Sequence, residues 1–229
     1  MDRRGFTSAV LIAAAAVAAP HSAPLAAKPP ESWDGLARVP SKRLKFVYLL
    51  PGADFRGYSK VILDPTEVAF RKDWQRDYNN TVRDLSGRVQ AADVEKVVEE
   101  GGKAATEIFR QAFADAGYPV VTAPGPDVLR LRTGVVNLSV TAPDQPRAGR
   151  SHSFAGEAGS AQIIIEARDS MTNALLGRAV DGQVAGDTTT LWRNRVTNRA
   201  DFRLLGKSWA KSCVNGLSEL KKMSPIQGG

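Results

Sequence analysis

The sequence predicts an α+β fold: an antiparallel or mixed β-sheet with two main amphipathic helices packed on one face. Three observations lead there. Apolar residues recur every three or four positions over Asp93 to Ala116 and again over Asn198 to Met223, the period of a helix with one buried face. Segments of β-type alternation, including Leu129 to Val140 and Leu175 to Ala185, lie between them. Two helices are too few for a doubly wound sheet, in which each parallel pair needs a crossover connection.

The N-terminus precedes the fold and reads as a targeting segment. Asp2-Arg3-Arg4 is followed by an unbroken apolar run from Val10 to Ala19, ended by Pro20. A basic start and a short apolar stretch describe a secretory signal peptide over residues 1–27, cut after Leu25-Ala26-Ala27. The run is shorter than the roughly 20 apolar residues of a membrane-spanning helix. No other stretch approaches that length, so no transmembrane segment is expected. The expected location is periplasmic or secreted, and Arg3-Arg4 leaves general and twin-arginine export both open. Pro29, Pro30 and Pro40 make residues 28–42 an extended tether. A single α+β domain is expected over 43–225, with a tail over 226–229.

Within the domain, Phe46 to Leu50 is rich in β-formers and stops at Pro51-Gly52, which predicts a strand. Ser59 to Leu63 predicts a second, which Val68 to Phe70 extends or follows; residues 71–90 carry no assignable period. The first long helix buries Val94, Val97, Val98, Ala105, Ile108, Phe109, Ala112 and Phe113, and ends at Gly117 and Pro119. Gly101-Gly102 weakens its middle by about 1 kcal/mol per Gly against Ala. Gln162 to Ala167 and Leu175 to Ala185 read as a hairpin around Asp169 to Asn173. Ala142 to Gly159 reads as a long loop. The last helix is expected to be capped by Asn198 with Asp201, and to bury Phe202, Leu205, Trp209, Cys213, Leu217 and Leu220.

Composition excludes several functions. The chain has 229 residues, 31 Lys+Arg against 24 Asp+Glu, one Cys and two His. One Cys forbids an intramolecular disulfide, and three Cys/His residues in all, one of them in the signal peptide, make a zinc site implausible. Gly206-Lys207-Ser208 ends like a phosphate loop, but the required Gly five residues earlier is Asp201 and the segment lies inside a helix. Ser208 to Lys211 and Ser218 to Lys221 match Ser-x-x-Lys without its companion motifs. Cys213, on the apolar helix face, reads as an inert buried thiol, and Trp74, Tyr78, Trp192 and Trp209 as core aromatics before a binding platform. No catalytic residue, metal ligand or cofactor is assigned.

Two candidate sites remain. Arg199, Arg203, Lys207 and Lys211 recur at every fourth position and so share one face of the last helix, drifting about 40° per step. This basic stripe is a surface for an envelope protein or an anionic polymer, or else a solvated flank pairing with the acidic first helix. The second candidate is the loop at Arg150, His152 and Glu157, centred on the one His left after processing. It would serve a small-molecule-binding protein or a hydrolase. Export and the lack of a recognition motif argue against nucleic acid as a partner.

Several segments then carry a resemblance. Pro51-Gly52-Ala53-Asp54-Phe55, Lys60-Val61 with Asp64-Pro65-Thr66, Arg76-Asp77-Tyr78-Asn79, Glu166-Ala167-Arg168-Asp169-Ser170 and Leu175-Leu176-Gly177-Arg178 appear in this order. Over residues 33–225 the chain resembles the bacterial envelope family labelled domain of unknown function 3313. Many members of that family are lipoproteins, whereas this chain has no lipid-accepting Cys, which favours a free periplasmic form. The resemblance implies no catalytic residues. The expected function is an exported, non-enzymatic cell-envelope module that binds a protein or an anionic envelope component.

Overall fold

The computed structural model describes residues 30–83, 85–141, 153–155, 157–186, 191–193 and 195–227. Among them the chain forms ten strands and three α-helices. In order these are β1 (Ser32–Trp33), β2 (Leu36–Val39), β3 (Phe46–Leu49), β4 (Lys60–Leu63), β5 (Glu67–Phe70), α1 (Trp74–Thr81) and α2 (Ala91–Asp115). There follow β6 (Val128–Val140), β7 (Ser153–Ala155), β8 (Gly159–Asp169), β9 (Leu175–Ala185), β10 (Leu191–Arg193) and α3 (Arg195–Met223).

The expected α+β class is the one observed, with a mixed sheet. Its strand order is β1-β2-β3-β9-β8-β6-β4. β5 continues the β4 edge, since both run parallel to β6, on residues 128–131 and 134–138 respectively. Parallel pairing demands a crossover, and α1 and α2 supply it. The remaining neighbours are antiparallel, with β8 and β9 paired around the turn at 170–174. Asp169 makes that turn by accepting the backbone N–H groups of Met171 (3.0 Å) and Thr172 (2.7 Å). β7 and β10 form a separate two-stranded ribbon.

Side chains alternate across the sheet with period two. One row in register, Val39–Val47–Ala179–Ile165–Thr133, faces the helices. The next, Arg38–Tyr48–Arg178–Glu166–Arg132, faces away from them. The core lies between the first face and the helices. Phe109 and Phe113 of α2 and Leu205, Trp209 and Leu217 of α3 pack there with Leu129, Leu131, Ile163 and Ile165.

The structure corrects four local expectations. Residues 32–39 belong to the sheet and not to a tether. Asp34 and Gly35 both have positive φ (53° and 79°), a two-residue turn whose twist matches a hairpin. Residues 71–90, without a period, contain α1. It is anchored by Trp74, which stacks on Phe70 (4.4 Å) and Tyr78 (5.7 Å). α3 begins at Arg195, so Asn198 lies buried inside it instead of capping it. In the expected tail, Ile226 is buried and tied to the core edge by backbone bonds with Gly52 and Ala53.

Helix glycines show how closely the layers approach. A Cβ added to Gly102 of α2 would lie 2.7 Å from the backbone oxygen of Thr66, so this glycine lets α2 sit against the β4–β5 corner. A Cβ on Gly216 of α3 would meet nothing within 4 Å. The same substitution therefore has opposite signs at the two sites. Gly102→Ala should cost about 1–3 kcal/mol through overpacking. Gly216→Ala should add up to about 1 kcal/mol through helix propensity. Thermal melts of the two variants should bracket the wild type.

Candidate functional site

α3 carries the expected basic stripe, and its four residues have different surroundings. Arg199 Nη2 donates to Glu100 Oε2 of α2 at 2.5 Å, so the opposite charges of the two helices do meet here. Arg203, Lys207 and Lys211 are exposed, and among the described residues none of the three is in an ion pair. Two acids of α2 are engaged within their own helix, Glu99 with Lys103 and Glu107 with Arg110. Leu204, 65% exposed, adjoins the cations. Further along α3, Lys221 Nζ lies 4.6 Å from the Tyr118 ring centroid.

Of the loop candidate, Arg150 and His152 lie outside the described residues, and Glu157 is exposed. Among the described residues no group of three or more His, Cys, Asp or Glu side chains is able to hold a metal. Nor is a reactive thiol at hand, because burial pushes Cys213 up to about 12.

A site with no counterpart in the sequence reading is a cavity of about 370 Å³ between the C-terminal half of α3 and the sheet. Its origin is a shortage of helices. Seven strand positions at about 4.8 Å spacing span roughly 29 Å. Two packed helices at 8–10 Å spacing cover roughly 20 Å of that. α2 packs on β4 and β5 and α3 on β9, so neither helix packs closely on the inner face of β2 and β3. There the apolar row thins out: Ile165 is buried, whereas Ala179, Val47 and Val39 are only half-buried. Cys213, Gly216 and Leu220 form the opposite wall, with exposed Met223 at the rim.

The strap at 40–44 closes part of the opening. Ser41 Oγ accepts from the backbone N–H groups of Arg43 (3.2 Å) and Leu44 (3.3 Å), which folds it. Arg43 then reaches α3, donating through Nε (3.0 Å) and Nη2 (2.6 Å) to Glu219 Oε1. That hydrogen bonding, with Lys222 and Lys42 nearby, holds the Glu219 carboxyl below its ordinary range. The mouth thus sets three cations against one anion.

The residues that carried the family resemblance hold the scaffold. Asp64 accepts from Arg130 Nε (3.0 Å) and Nη2 (2.8 Å) across the β4–β6 pair. Thr66 and Thr133 share a buried hydroxyl contact of 2.7 Å. Asn79 brackets Val89 by accepting its N–H (2.8 Å) and donating to its carbonyl (2.9 Å). Asp169 also accepts from Tyr58 Oη (2.9 Å), and Glu166 and Arg178 pair on the outer face of the sheet. Residues 28–213 match the family described as "Protein of unknown function (DUF3313)". The chain belongs to DUF3313.

No curated protein matches this DUF3313 chain. Among solved structures it is similar to the PelC dodecamer from Paraburkholderia phytofirmans, at 12% identity and a TM-score of 0.35, covering 75% of this chain and 95% of that one. A DUF330 protein from Xanthomonas campestris is 13% identical with a TM-score of 0.40, covering 76% and 89%. A neuraminyllactose-binding hemagglutinin homologue from Helicobacter pylori is 13% identical with a TM-score of 0.32, covering 75% and 87%.

Proposed function

We propose that this DUF3313 protein is an exported, non-enzymatic module of the cell envelope that docks a protein or an anionic envelope polymer through the exposed face of α3. The observation that carries the reading is the set Arg203, Lys207 and Lys211, three exposed cations on one helix face that are in no ion pair among the described residues. Like charges at i,i+4 cost a few tenths of a kcal/mol per pair. An anionic surface relieves that cost on binding, whereas α2 relieves it only at Arg199. The signal-peptide pattern at residues 1–27 supports a periplasmic or secreted location for such a module. Among the described residues no helix is long and apolar enough to cross a membrane.

The test is association with an isolated envelope fraction at rising salt. Wild-type binding should fall steeply between low and physiological ionic strength, because exposed charges are screened over about 8–10 Å. The triple variant Arg203→Glu, Lys207→Glu, Lys211→Glu should lose association at every salt concentration while its thermal midpoint stays within a few degrees of wild type. Equal retention of the triple variant would exclude the α3 face.

A further inference from the structure

We propose that the cavity beneath α3 binds one medium-chain fatty carboxylate, its chain along the Val39–Val47–Ala179 row and its head group on Arg43. The proposal is independent of the α3 basic face.

Three features identify the ligand. The first is shape and polarity. At about 370 Å³ the cavity lies at the lower end of ligand-pocket volumes, suited to a single chain and too small for a two-chain lipid. Its walls from the sheet include Val39, Val47 and Ala179, which carry no polar side-chain atom, and from α3 Leu220 and the thiol of Cys213, which burial keeps protonated, with Ser212 the one hydroxyl that α3 adds. The second is the head-group position. Arg43 already grips a carboxylate in a two-donor arrangement, namely that of Glu219. Glu219 is half exposed, so on exchange with a ligand carboxylate it passes into water, and an exposed pair of this kind is weakly held. The third is charge. Lys42 lines the same mouth as Arg43, and Lys222 lies close enough to Glu219 to act on its charge, so a second anion beside Glu219 still leaves this end of the cavity with a cationic excess. A cationic amphiphile meets the opposite field.

Gly216 makes the test decisive. It lines the cavity, and a Cβ there meets no atom within 4 Å, so a larger side chain starts in open space and takes up room in the cavity. Calorimetric titration of the purified protein with decanoate should show saturable one-to-one binding. Decanol should bind at least tenfold more weakly, and decyltrimethylammonium should give no saturable signal. Gly216→Leu should weaken decanoate at least tenfold. Should that variant fail to fold, Val47→Phe on the opposite wall should give the same loss. Arg43→Gln should abolish the preference for decanoate over decanol while decanol binding persists. Reversal of Arg203, Lys207 and Lys211 should leave decanoate binding unchanged. Absence of saturable decanoate binding, or binding that survives both cavity-filling variants, would overturn the site. Equal affinity for decyltrimethylammonium would overturn the head-group assignment.

Discussion

Trp209→Ala should lower the unfolding free energy by about 4 kcal/mol, the middle of the range for deleting a buried large aromatic side chain. Trp209 is 2% exposed and sits where α3 meets the sheet. Its Nε1–H donates to Oδ2 of Asp181 at 2.9 Å. Asp181 is itself 6% exposed and accepts a second hydrogen bond from Gln183 Nε2 at 2.7 Å. Truncation therefore leaves a void and removes one of the two donors that this buried carboxyl has among the described residues, and the second loss alone costs about 1–3 kcal/mol. Trp209→Phe separates the two effects. It keeps most of the ring volume and loses the donor, so it should cost about 1–3 kcal/mol. In an Asp181→Leu background the same Trp209→Phe change should cost little, because no carboxyl remains to be orphaned. Urea unfolding of the four proteins in that cycle, with Trp209→Ala beside them, is the measurement. A Trp209→Ala loss under 1 kcal/mol would show that α3 does not depend on this contact.

α2, α3 and the β8–β9 hairpin were legible in the sequence because each writes its packing into a local period. Phe109 and Phe113, or Leu205 and Trp209, stand four apart because they must reach the same core. The β1–β2 hairpin had a readable signal too, Asp34-Gly35 before Leu36, but the prolines on either side argued for an extended chain. α1 had none. Its helix is polar, and what fixes it is the stacking of Trp74 between Phe70 and Tyr78. The stripe on α3 was legible as a face, and so was a pairing with the acidic first helix, though not that Arg199 would meet Glu100, two residues 99 positions apart. The cavity was the least legible feature. No motif encodes it, since it arises from the ratio of sheet width to helix number and from the register that lines up Val39, Val47 and Ala179.

Arg178→Met should cost about 3 kcal/mol at pH 7 and less in acid. Arg178 is 7% exposed on the outer face of the sheet. It donates through Nε (3.1 Å) and Nη2 (2.7 Å) to Glu166 Oε1, and through Nη1 to Asp34 Oδ2 (2.7 Å). Its guanidinium also lies 4.2 Å from the Trp33 ring centroid. One side chain thus fastens the β1–β2 hairpin to the middle of the sheet. Removing it leaves Glu166, 15% exposed, with Arg168 alone, and breaking a buried pair from one side costs about 3–5 kcal/mol. Burial pushes the Glu166 carboxyl up, but hydrogen bonds from Arg178 and Arg168 outweigh it and hold the group below its ordinary value of 4.5. A depressed carboxyl contributes stability that is complete above the unfolded pKa and is lost as pH falls through the folded one. The wild type should therefore lose this contribution below about pH 4.5. In Arg178→Met the burial penalty has only Arg168 against it, so protonation relieves the variant and the gap between the two proteins narrows. Urea unfolding at pH 7 and at about pH 3.5 checks the sign, and Glu166→Gln should flatten the wild-type dependence. Amide exchange gives a second readout: residues 32–39 should exchange faster in Arg178→Met while β8 keeps its protection, because the fastening is lost and the central ladder is not. A stability gap that stays constant between the two pH values would mean that Glu166 is not held by Arg178 in solution.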